Sequence, residues 1–259
     1  MPESKTVYIG IDPTAGRRPV NYAVLDSRLR TIALGAGDLQ TVMAAIGGYE
    51  SAVCAVDAPQ SPNGGLLTQP EVRLRYGLRP DATTWSQFKV CEYRLRRHGI
   101  GIYSTPSDAN AAKPWMRLGW ELYDRLRAAG YSALLPGEPG AAKAYIEVHP
   151  HACFTVLLGH VPYKKNTLEG RLQRQLILAD QGLDVPDALE VLEEITRHRL
   201  LEGMLEFRSL LTHDQLDALV GAYTACLAAT QPKRASWVGE EIEGQIVVPV
   251  ETLKEKYAR

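Results

Sequence analysis

The sequence lacks paired cysteine motifs. Its 259 residues include four cysteines, no two of which form a CxxC or a CxxH motif: Cys54, Cys91, Cys153 and Cys226. This wide spacing argues against a zinc site and against a dense disulfide framework. Unpaired cysteines are typical of a reducing compartment, so we expect a cytoplasmic protein.

Long hydrophobic runs are also missing. No apolar stretch approaches the ~20 residues that a transmembrane helix requires. The first residues, MPESKTVYIGID, pass from a few polar side chains directly into a strand-like run, without a charged leader or a cleavable apolar region. We therefore expect no membrane partner.

The sequence shows no excess of positive charge and none of the common hydrolase motifs. It has 29 basic and 30 acidic residues, for a net charge of −1. Dedicated nucleic-acid binders are often strongly basic, so a polyanionic substrate would have to bind a local basic face. The motifs GxSxG and HExxH and the P-loop are absent, which argues against serine hydrolases, zinc proteases and P-loop nucleotidases.

The order of the predicted elements indicates an α/β protein. Three antiparallel strands, a helix and a fourth strand are predicted over 6–12, 20–26, 30–36, 39–49 and 51–57. Residues 60–143 are typical of an insertion, with a loop rich in proline, glycine and arginine followed by helices at 88–97 and 107–129. A strand, three helices and a terminal strand follow at 144–148, 168–180, 187–207, 212–230 and 245–250. We expect one domain, 1–259, with a mixed five-stranded sheet flanked by helices and a lid or helical subdomain inserted at 60–143.

Two aspartates end predicted strands. Asp12, in GIDP, and Asp57, in VDAPQ, each close a buried apolar run and precede a proline. Ligands of α/β sheets bind beyond the carboxyl ends of the strands, and neighbouring carboxylates repel each other unless a cation is present. The pair therefore predicts a cation site, although each aspartate could instead cap its own loop.

Two more aspartates lie at the start of a late helix. Thr212 and Gln215 form a capping-box pattern, which places Asp214 and Asp217 at i and i+3 on one face of the helix. Acids favour helix N-termini through the macrodipole, and this explains Asp214 well. It explains Asp217 less well, because small apolar residues follow Asp217 and allow a close approach of the helix to the sheet.

A fifth acid, Glu147, lies in the motif YIEVHPH. Glu147, His149 and His151 are spaced by two, so an unbroken strand would place them on one face, as metal ligands could be. Pro150 favours the end of the strand, in which case the histidines are structural.

Carboxylates are ligands for hard cations. Several carboxylates suit Mg²⁺ or Mn²⁺ rather than zinc, and two such ions ~3.5–4 Å apart support phosphodiester hydrolysis without a nucleophile from the protein. We predict that the metal ligands are four aspartates, and that these four together with Glu147 are the catalytic residues: Asp12, Asp57, Asp214 and Asp217.

Basic residues near aromatic ones are candidates for substrate binding. The insertion carries Lys89, Arg94 and Arg97 close to aromatic residues that could stack on bases, and we predict that these three contact phosphates. A second basic cluster comprises Lys164, Lys165, Arg171 and Arg174. Most such charges only solvate a helix face.

An ordered series of motifs resembles a known family. GIDPTAG, VDAPQ, CEYRLRRHGI with YSTP, EVHPHACFTVLLG, LEGRLQRQ, HDQLDALVGAYTACLA and WVGEEIEGQIVVP together resemble the domain-of-unknown-function family 429, over nearly the whole chain. The family's members are predicted to be nucleases of ribonuclease-H-like fold, so the resemblance implies that fold and a nucleic-acid partner.

The motif DxxDA, beginning at Asp214, also resembles the last acidic helix of RuvC-type Holliday-junction resolvases. In those enzymes, acids on the first strand, the fourth strand and this helix bind the catalytic metals, which implies such a role for Asp12, Asp57, Asp214 and Asp217. Glu147 belongs to an ExHP-like motif of family 429. The long insertion departs from the resolvases, so specificity for junctions is not implied.

Two other functions stay open. A phosphotransferase of the sugar-kinase and actin-like ATPase group shares the fold, but the second glycine-rich phosphate loop of that group is not found after residue 150. A non-catalytic module that binds nucleic acid or protein would suit the near-neutral charge, whereas four clustered acids argue against it. The sequence leaves open the choice of DNA or RNA and the oligomeric state, a homodimer included.

Overall fold

We describe the protein from a computed structural model, in which residues 6–14, 18–137, 142–204 and 207–258 are described. Within them the chain forms one mixed sheet of eight strands: β1 (Val7–Asp12), β2 (Val20–Leu25), β3 (Thr31–Gly37), β4 (Ala52–Val56), β5 (Ser132–Ala133), β6 (Lys143–Val148), β7 (Ser236–Glu240) and β8 (Gly244–Val248).

The strands follow the order β3-β2-β1-β4-β6-β8-β7, and β5 pairs with β6 beside β8. β2 is antiparallel to both β1 and β3, and β7 is antiparallel to β8. β1, β4, β6 and β8 are parallel to one another. The carboxyl ends of β1, β4 and β6 therefore meet at one edge of the sheet.

The described residues form nine α-helices: α1 (Leu39–Gly47), α2 (Pro70–Arg75), α3 (Val90–Arg97), α4 (Pro114–Ala128), α5 (Pro150–Leu158), α6 (Leu168–Asp180), α7 (Val191–Glu194), α8 (Arg197–Leu201) and α9 (His213–Thr230). No described helix is long and apolar enough to cross a membrane.

The central strands are buried on both faces, which explains why their sequences are continuously apolar rather than alternating. One face packs against α9 and α5, with Tyr8 and Ala55 in the contact. The other face packs against α1 and α4 through Ile9 and Cys54. The sheet is thus the middle of three layers.

Small residues let α9 lie directly on β1. A Cβ added at Gly10 would come within 1.8 Å of the Ala218 carbonyl oxygen, so glycine alone fits at this position. A Cβ added at Gly221 would meet Gly10 at an ordinary contact distance of 3.4 Å. This close approach brings the first turns of α9 to the carboxyl edge of the sheet.

The residues between β4 and β6 form two parts. α2 and one side of α3 form a small apolar cluster, which contains Leu67, Val72, Phe88, Val90 and Tyr93, whereas the other side of α3 packs in the main core. α4 instead packs on the sheet through Leu122, Tyr123 and Leu126. Residues 138–141 of the predicted insertion lie outside the described residues.

Two predicted elements differ from the structure. The helix predicted over 187–207 is replaced by a 3₁₀ turn and the short helices α7 and α8; residues 205 and 206 lie outside the described residues. The chain breaks after Glu194 because its carboxylate accepts backbone N–H groups of Arg208 and Ser209, and because Thr196 caps α8. The single terminal strand predicted at 245–250 is the antiparallel pair β7 and β8, which, with β5, makes the sheet larger than the predicted five strands.

Candidate active site

Asp12 is the last residue of β1 and lies almost buried at the carboxyl edge of the sheet, 6% exposed. Its Oδ1 accepts a hydrogen bond from the backbone N–H of Thr14, at 3.0 Å. Thr14 has a φ of 44°, a left-handed conformation that is costly for a β-branched residue. The turn after β1 therefore holds the Asp12 carboxylate in one orientation.

Asp57 follows β4 directly, beside Asp12. Its backbone N–H donates to the Ile11 carbonyl at 2.9 Å, which extends the pairing of β1 and β4 to the sheet edge. Its Oδ1 lies 3.7 Å from Nδ1 of His149. Because His149 Nε2 lies 3.1 Å from the Gly101 carbonyl, Nε2 carries a proton and donates it. The other ring nitrogen, Nδ1, therefore faces Asp57.

Asp217 lies in the second turn of α9, where its side chain is only 3% exposed. Its Oδ2 lies 2.6 Å from Nζ of Lys165, and the two form a charged hydrogen bond. Lys165 belongs to the segment between α5 and α6, and its side chain is about half exposed. A cation from a distant part of the chain is thus bound to a buried carboxylate.

The three aspartates share one electrostatic environment. Burial raises the pKa of Asp12 well above its ordinary value, and the charges of Asp57 and Asp217 raise it further. Burial also raises the pKa of Asp217, with a contribution from Asp57 and an opposing one from Lys165. The structure therefore brings Asp12, Asp57 and Asp217 together, from β1, the end of β4 and α9.

Asp214 lies one turn earlier on α9, and its carboxylate is paired with other groups. Oδ2 accepts from Arg18 at 3.1 Å, and Oδ1 lies 3.1 Å from Nε2 of His213. The hydrogen bond with His213 is the largest of the effects that lower the pKa of Asp214. Asp214 lines a separate cleft of about 370 Å³, together with Arg171.

Glu147 lies on the opposite face of the sheet from α9. Its neighbours Ile146 and Val148 pack in the core on the α9 side, whereas the charge of Glu147 acts on Tyr123 of α4. Oε2 accepts from the Gln60 N–H at 2.9 Å, and Oε1 is buried without a partner among the described residues. Burial raises the pKa of Glu147 to about 7.

The motif around Glu147 does not form one face. β6 ends at Val148, and Pro150 begins α5, so the alternation of a strand stops before His149. Burial lowers the pKa of His151 to about 4, as do His149 and Arg174 nearby, and His151 is neutral at ordinary pH.

A cleft of about 830 Å³ opens beside Asp57 and Asp217. Its basic side chains are Lys164, Lys165 and Arg174, and its aromatic walls include Tyr103 and Tyr163. Both the Tyr103 hydroxyl and His149 Nδ1 are buried without a hydrogen-bond partner among the described residues. The cleft therefore combines carboxylates and cations, and two buried polar atoms without a partner lie in its wall.

The three predicted phosphate contacts do not line this cleft. Lys89 is fully buried, and its Nζ donates to the Glu243 carbonyl at 3.1 Å, which ties α3 to the segment before β8. Arg94 and Arg97 lie on α3, half-buried and exposed respectively. The basic side chains beside Asp217 come instead from the second cluster, 164–174.

The sequence does not show that the two cations acting on Asp217, Lys165 and Arg174, lie beside it. Lys165 precedes Asp217 by 52 residues and meets it only in the folded chain. Arg174 resembles any other basic residue on α6, yet its side chain is buried. The sequence indicated a basic cluster of Lys164, Lys165, Arg171 and Arg174, but did not relate this cluster to Asp217.

The donor set of the site suits a hard divalent cation, since three carboxylates lie together at low exposure. Within the described residues, however, no three His, Cys, Asp or Glu side chains are arranged as a ready ligand set for a metal ion. Lys165 already holds Oδ2 of Asp217, and the Thr14 N–H holds Oδ1 of Asp12. A divalent ion bound here would have to displace the Lys165 ammonium.

A family model described as "Protein of unknown function (DUF429)" matches residues 10–241. The chain belongs to this family. Its matched region includes all of the candidate residues, from Asp12 to Asp217. Neither a curated protein nor a solved structure matches the chain.

Proposed function

We propose that this DUF429 protein is a nuclease of ribonuclease-H-like fold that hydrolyses phosphodiester bonds of DNA or RNA with a divalent metal. The observation that carries the proposal is the meeting of Asp12, Asp57 and Asp217 at one sheet edge, from the first strand, the fourth strand and the last long helix. The strand order β3-β2-β1-β4-β6, with β2 alone antiparallel among these five, supports the fold.

The chemistry of the three aspartates supports a role for Mg²⁺ or Mn²⁺. Asp12, Asp57 and Asp217 would hold the ion, because their oxygens are the ligands these ions prefer and their mutual repulsion favours a bound cation. When bound, such an ion activates a water and stabilises the charge that develops on the phosphate. Lys165 takes the place of this positive charge when no metal is bound.

The protein's own groups position a substrate in the cleft. Negative charge on the three aspartates repels a phosphodiester, so the basic side chains of the cleft have to offset this repulsion. Lys164 and Arg174 lie on the walls beside Asp217 and provide this charge. His149, which donates a hydrogen bond to the Gly101 carbonyl, places its Nδ1 3.7 Å from Oδ1 of Asp57, on the wall of the same cleft.

The test is cleavage of a mixed panel of single-stranded, duplex and branched DNA and RNA, with Mg²⁺, Mn²⁺ or EDTA. The wild type is expected to cleave at least one substrate with metal and none in EDTA. Asp12→Asn and Asp217→Asn should each lower the rate by at least about 100-fold, because each removes a ligand that stabilises the transition state. Asp180→Asn, which changes an exposed acid at the end of α6, is the matched control and should cleave as the wild type.

Asp214→Asn tests whether Asp214, like Asp217, is a metal ligand on α9. Because the Asp214 carboxylate is bound to Arg18 and His213, we expect a smaller loss of cleavage than for Asp217→Asn. Wild-type protein that cleaves nothing, or that cleaves equally well in EDTA, would contradict the proposal. Calorimetric binding of a nucleoside triphosphate would then favour a phosphotransferase, and its absence a non-catalytic module.

A further inference from the structure

Arg174 is a buried cation in the wall of the large cleft. It lies on α6 and is only 2% exposed. Its Nη1 donates to the carbonyls of Tyr163 and Gly170, both at 2.8 Å, and its Nε has no hydrogen-bond partner among the described residues. The side chain also lies over the ring of Phe154, at 5.3 Å from the centroid.

The charge of Arg174 is not compensated by a direct ion pair. No described carboxylate forms an ion pair with it, although Asp217 is near enough to act on its charge. A buried guanidinium is costly to desolvate and is ordinarily paired with an anion. A neutral side chain could donate the two hydrogen bonds to the carbonyls equally well. The positive charge of Arg174 therefore indicates an anionic ligand.

The segment next to Arg174 presents further ligand-binding groups. Tyr163 is 61% exposed and lines the same cleft, as do Lys164 and Asn166. α6 holds this segment in place, because the Tyr163 N–H donates to Gln173 Oε1 at 2.9 Å and the Tyr163 carbonyl accepts from Arg174. The backbone of the segment that carries Tyr163 and Lys164 is therefore tied to α6 beside Arg174.

We propose that Arg174, Lys164 and Tyr163 form a subsite for one nucleotide, in which the two cations bind a phosphate and Tyr163 stacks on the base beside it. Guanidinium groups bind phosphate oxygens through two parallel hydrogen bonds, and a tyrosine ring stacks on any base. Stacking on Tyr163 requires a base that is not paired. The ligand is thus a single-stranded segment or an unpaired end, held next to the three aspartates.

This assignment rests on the proposed nuclease function for the nature of its ligand, but it requires neither metal nor cleavage. Lys165 is not part of the subsite, since its ammonium is bound to Asp217. Binding in EDTA therefore tests the subsite separately from the chemistry.

The experiment measures binding of a labelled five-nucleotide single strand in EDTA, by fluorescence anisotropy, for the wild type and three variants. Arg174→Gln should weaken binding about tenfold or more, because it removes the buried charge while keeping a donor for the carbonyls. Tyr163→Ala should weaken it by roughly 5- to 100-fold, as expected for the loss of one stacked base. Lys164→Ala should lower the slope of log K against log salt by about 0.7. Lys233→Ala removes an exposed lysine that does not line the cleft and is the matched control.

Each outcome decides one proposal. A wild type that binds the single strand no better than a blunt duplex of the same sequence would overturn the subsite, as would a wild type that binds no strand. Equal binding by the wild type, Tyr163→Ala and Lys164→Ala would overturn it too, and these two exposed positions keep the test valid if Arg174→Gln does not fold. Binding with the expected effects of the variants but without cleavage would support the proposed subsite and contradict the proposed nuclease function.

Discussion

Lys165 Nζ lies 2.6 Å from Oδ2 of Asp217, so an ammonium from the segment before α6 neutralises a carboxylate buried in α9. Burial raises the pKa of Asp217, and the positive charge of Lys165 lowers it. The same ammonium also lowers the pKa of Asp12. The acidic site therefore contains a cation of its own, which a divalent ion and a substrate would have to replace or tolerate.

Replacing Lys165 should destabilise the metal-free protein. Lys165→Met leaves Asp217 buried without its cation, and breaking a buried pair in this way costs about 3–5 kcal/mol. Because the lysine side chain is half exposed, we expect a smaller loss, about 1–3 kcal/mol. Urea denaturation in EDTA measures it, with Lys164→Met as the control for removal of a neighbouring charge.

A double variant tests the cause of that loss. Adding Asp217→Asn to Lys165→Met removes the orphaned charge and should recover most of the lost stability, since the two effects come from one interaction. If the stability losses of the two single variants simply added in the double variant, the ion pair of Lys165 and Asp217 would not be the source of the stabilisation.

Divalent metal should stabilise the protein by mass action. Mg²⁺ or Mn²⁺ that binds only the folded state at 100 times its dissociation constant adds about 2.7 kcal/mol. We expect metal to raise the melting temperature of the wild type, and to raise that of Lys165→Met more, because no ammonium then competes for Asp217. Asp12→Asn should reduce the response and stabilise the metal-free protein, because Asp12 lies among like charges. Thermal scans that show no effect of metal on any of these proteins would contradict a metal site.

The positions of the three aspartates followed from local patterns. An acid that closes an apolar run predicted Asp12 and Asp57 at strand ends, and a capping box fixed the register of α9 and hence of Asp217. These patterns are local, so a single sequence contains them. The partners of these acids are not local: Lys165 reaches Asp217 across 52 residues, and no periodicity relates the two.

Face and burial were harder to predict than position. Glu147 is in the predicted strand, but its side chain points to the face of the sheet opposite α9. The pairing of β6 with β4 and β8 determines which face this is, and the sequence of β6 alone does not. Lys89 resembled a surface cation, whereas the Glu243 carbonyl and Ser61 hold it inside the protein. The fit of a side chain into the core depends on neighbours that are distant in sequence.

Gly10 should be essential to the geometry of the site, and Gly221 should not. Gly10→Ala would place a methyl group 1.8 Å from the Ala218 carbonyl, so α9 would have to move away from β1. We expect a loss of at least about 3 kcal/mol, the upper part of the range for overpacking. Gly221→Ala meets its neighbours at 3.4–3.7 Å and should be neutral or stabilising by up to about 1 kcal/mol, because alanine is the better helix former. Equal stabilities of the two variants in urea denaturation would show that α9 does not rest on Gly10 as described.

Glu147 should make folding less favourable as the pH rises. Its pKa is about 7 in the folded protein against an ordinary value of 4.5, so the folded state holds the proton more tightly. This contribution to stability is complete below pH 4.5 and is lost as the pH rises through 7. The total loss in the free energy of unfolding is about 3 kcal/mol at most. Asp12 and Asp217 act in the same direction, so the effect of Glu147 has to be isolated by comparison.

Glu147→Gln makes that comparison, because glutamine resembles the protonated acid and does not titrate. The free energy of unfolding of the variant should exceed that of the wild type by less than about 1 kcal/mol at pH 5 and by up to about 3 kcal/mol at pH 8. Glu193→Gln, at an exposed position on α7, should follow the wild type throughout. A difference between Glu147→Gln and the wild type that stays constant from pH 5 to pH 8 would show that the Glu147 carboxyl does not take up a proton in this range. Its unpartnered Oε1 would then need another source of stabilisation, such as a bound water or cation.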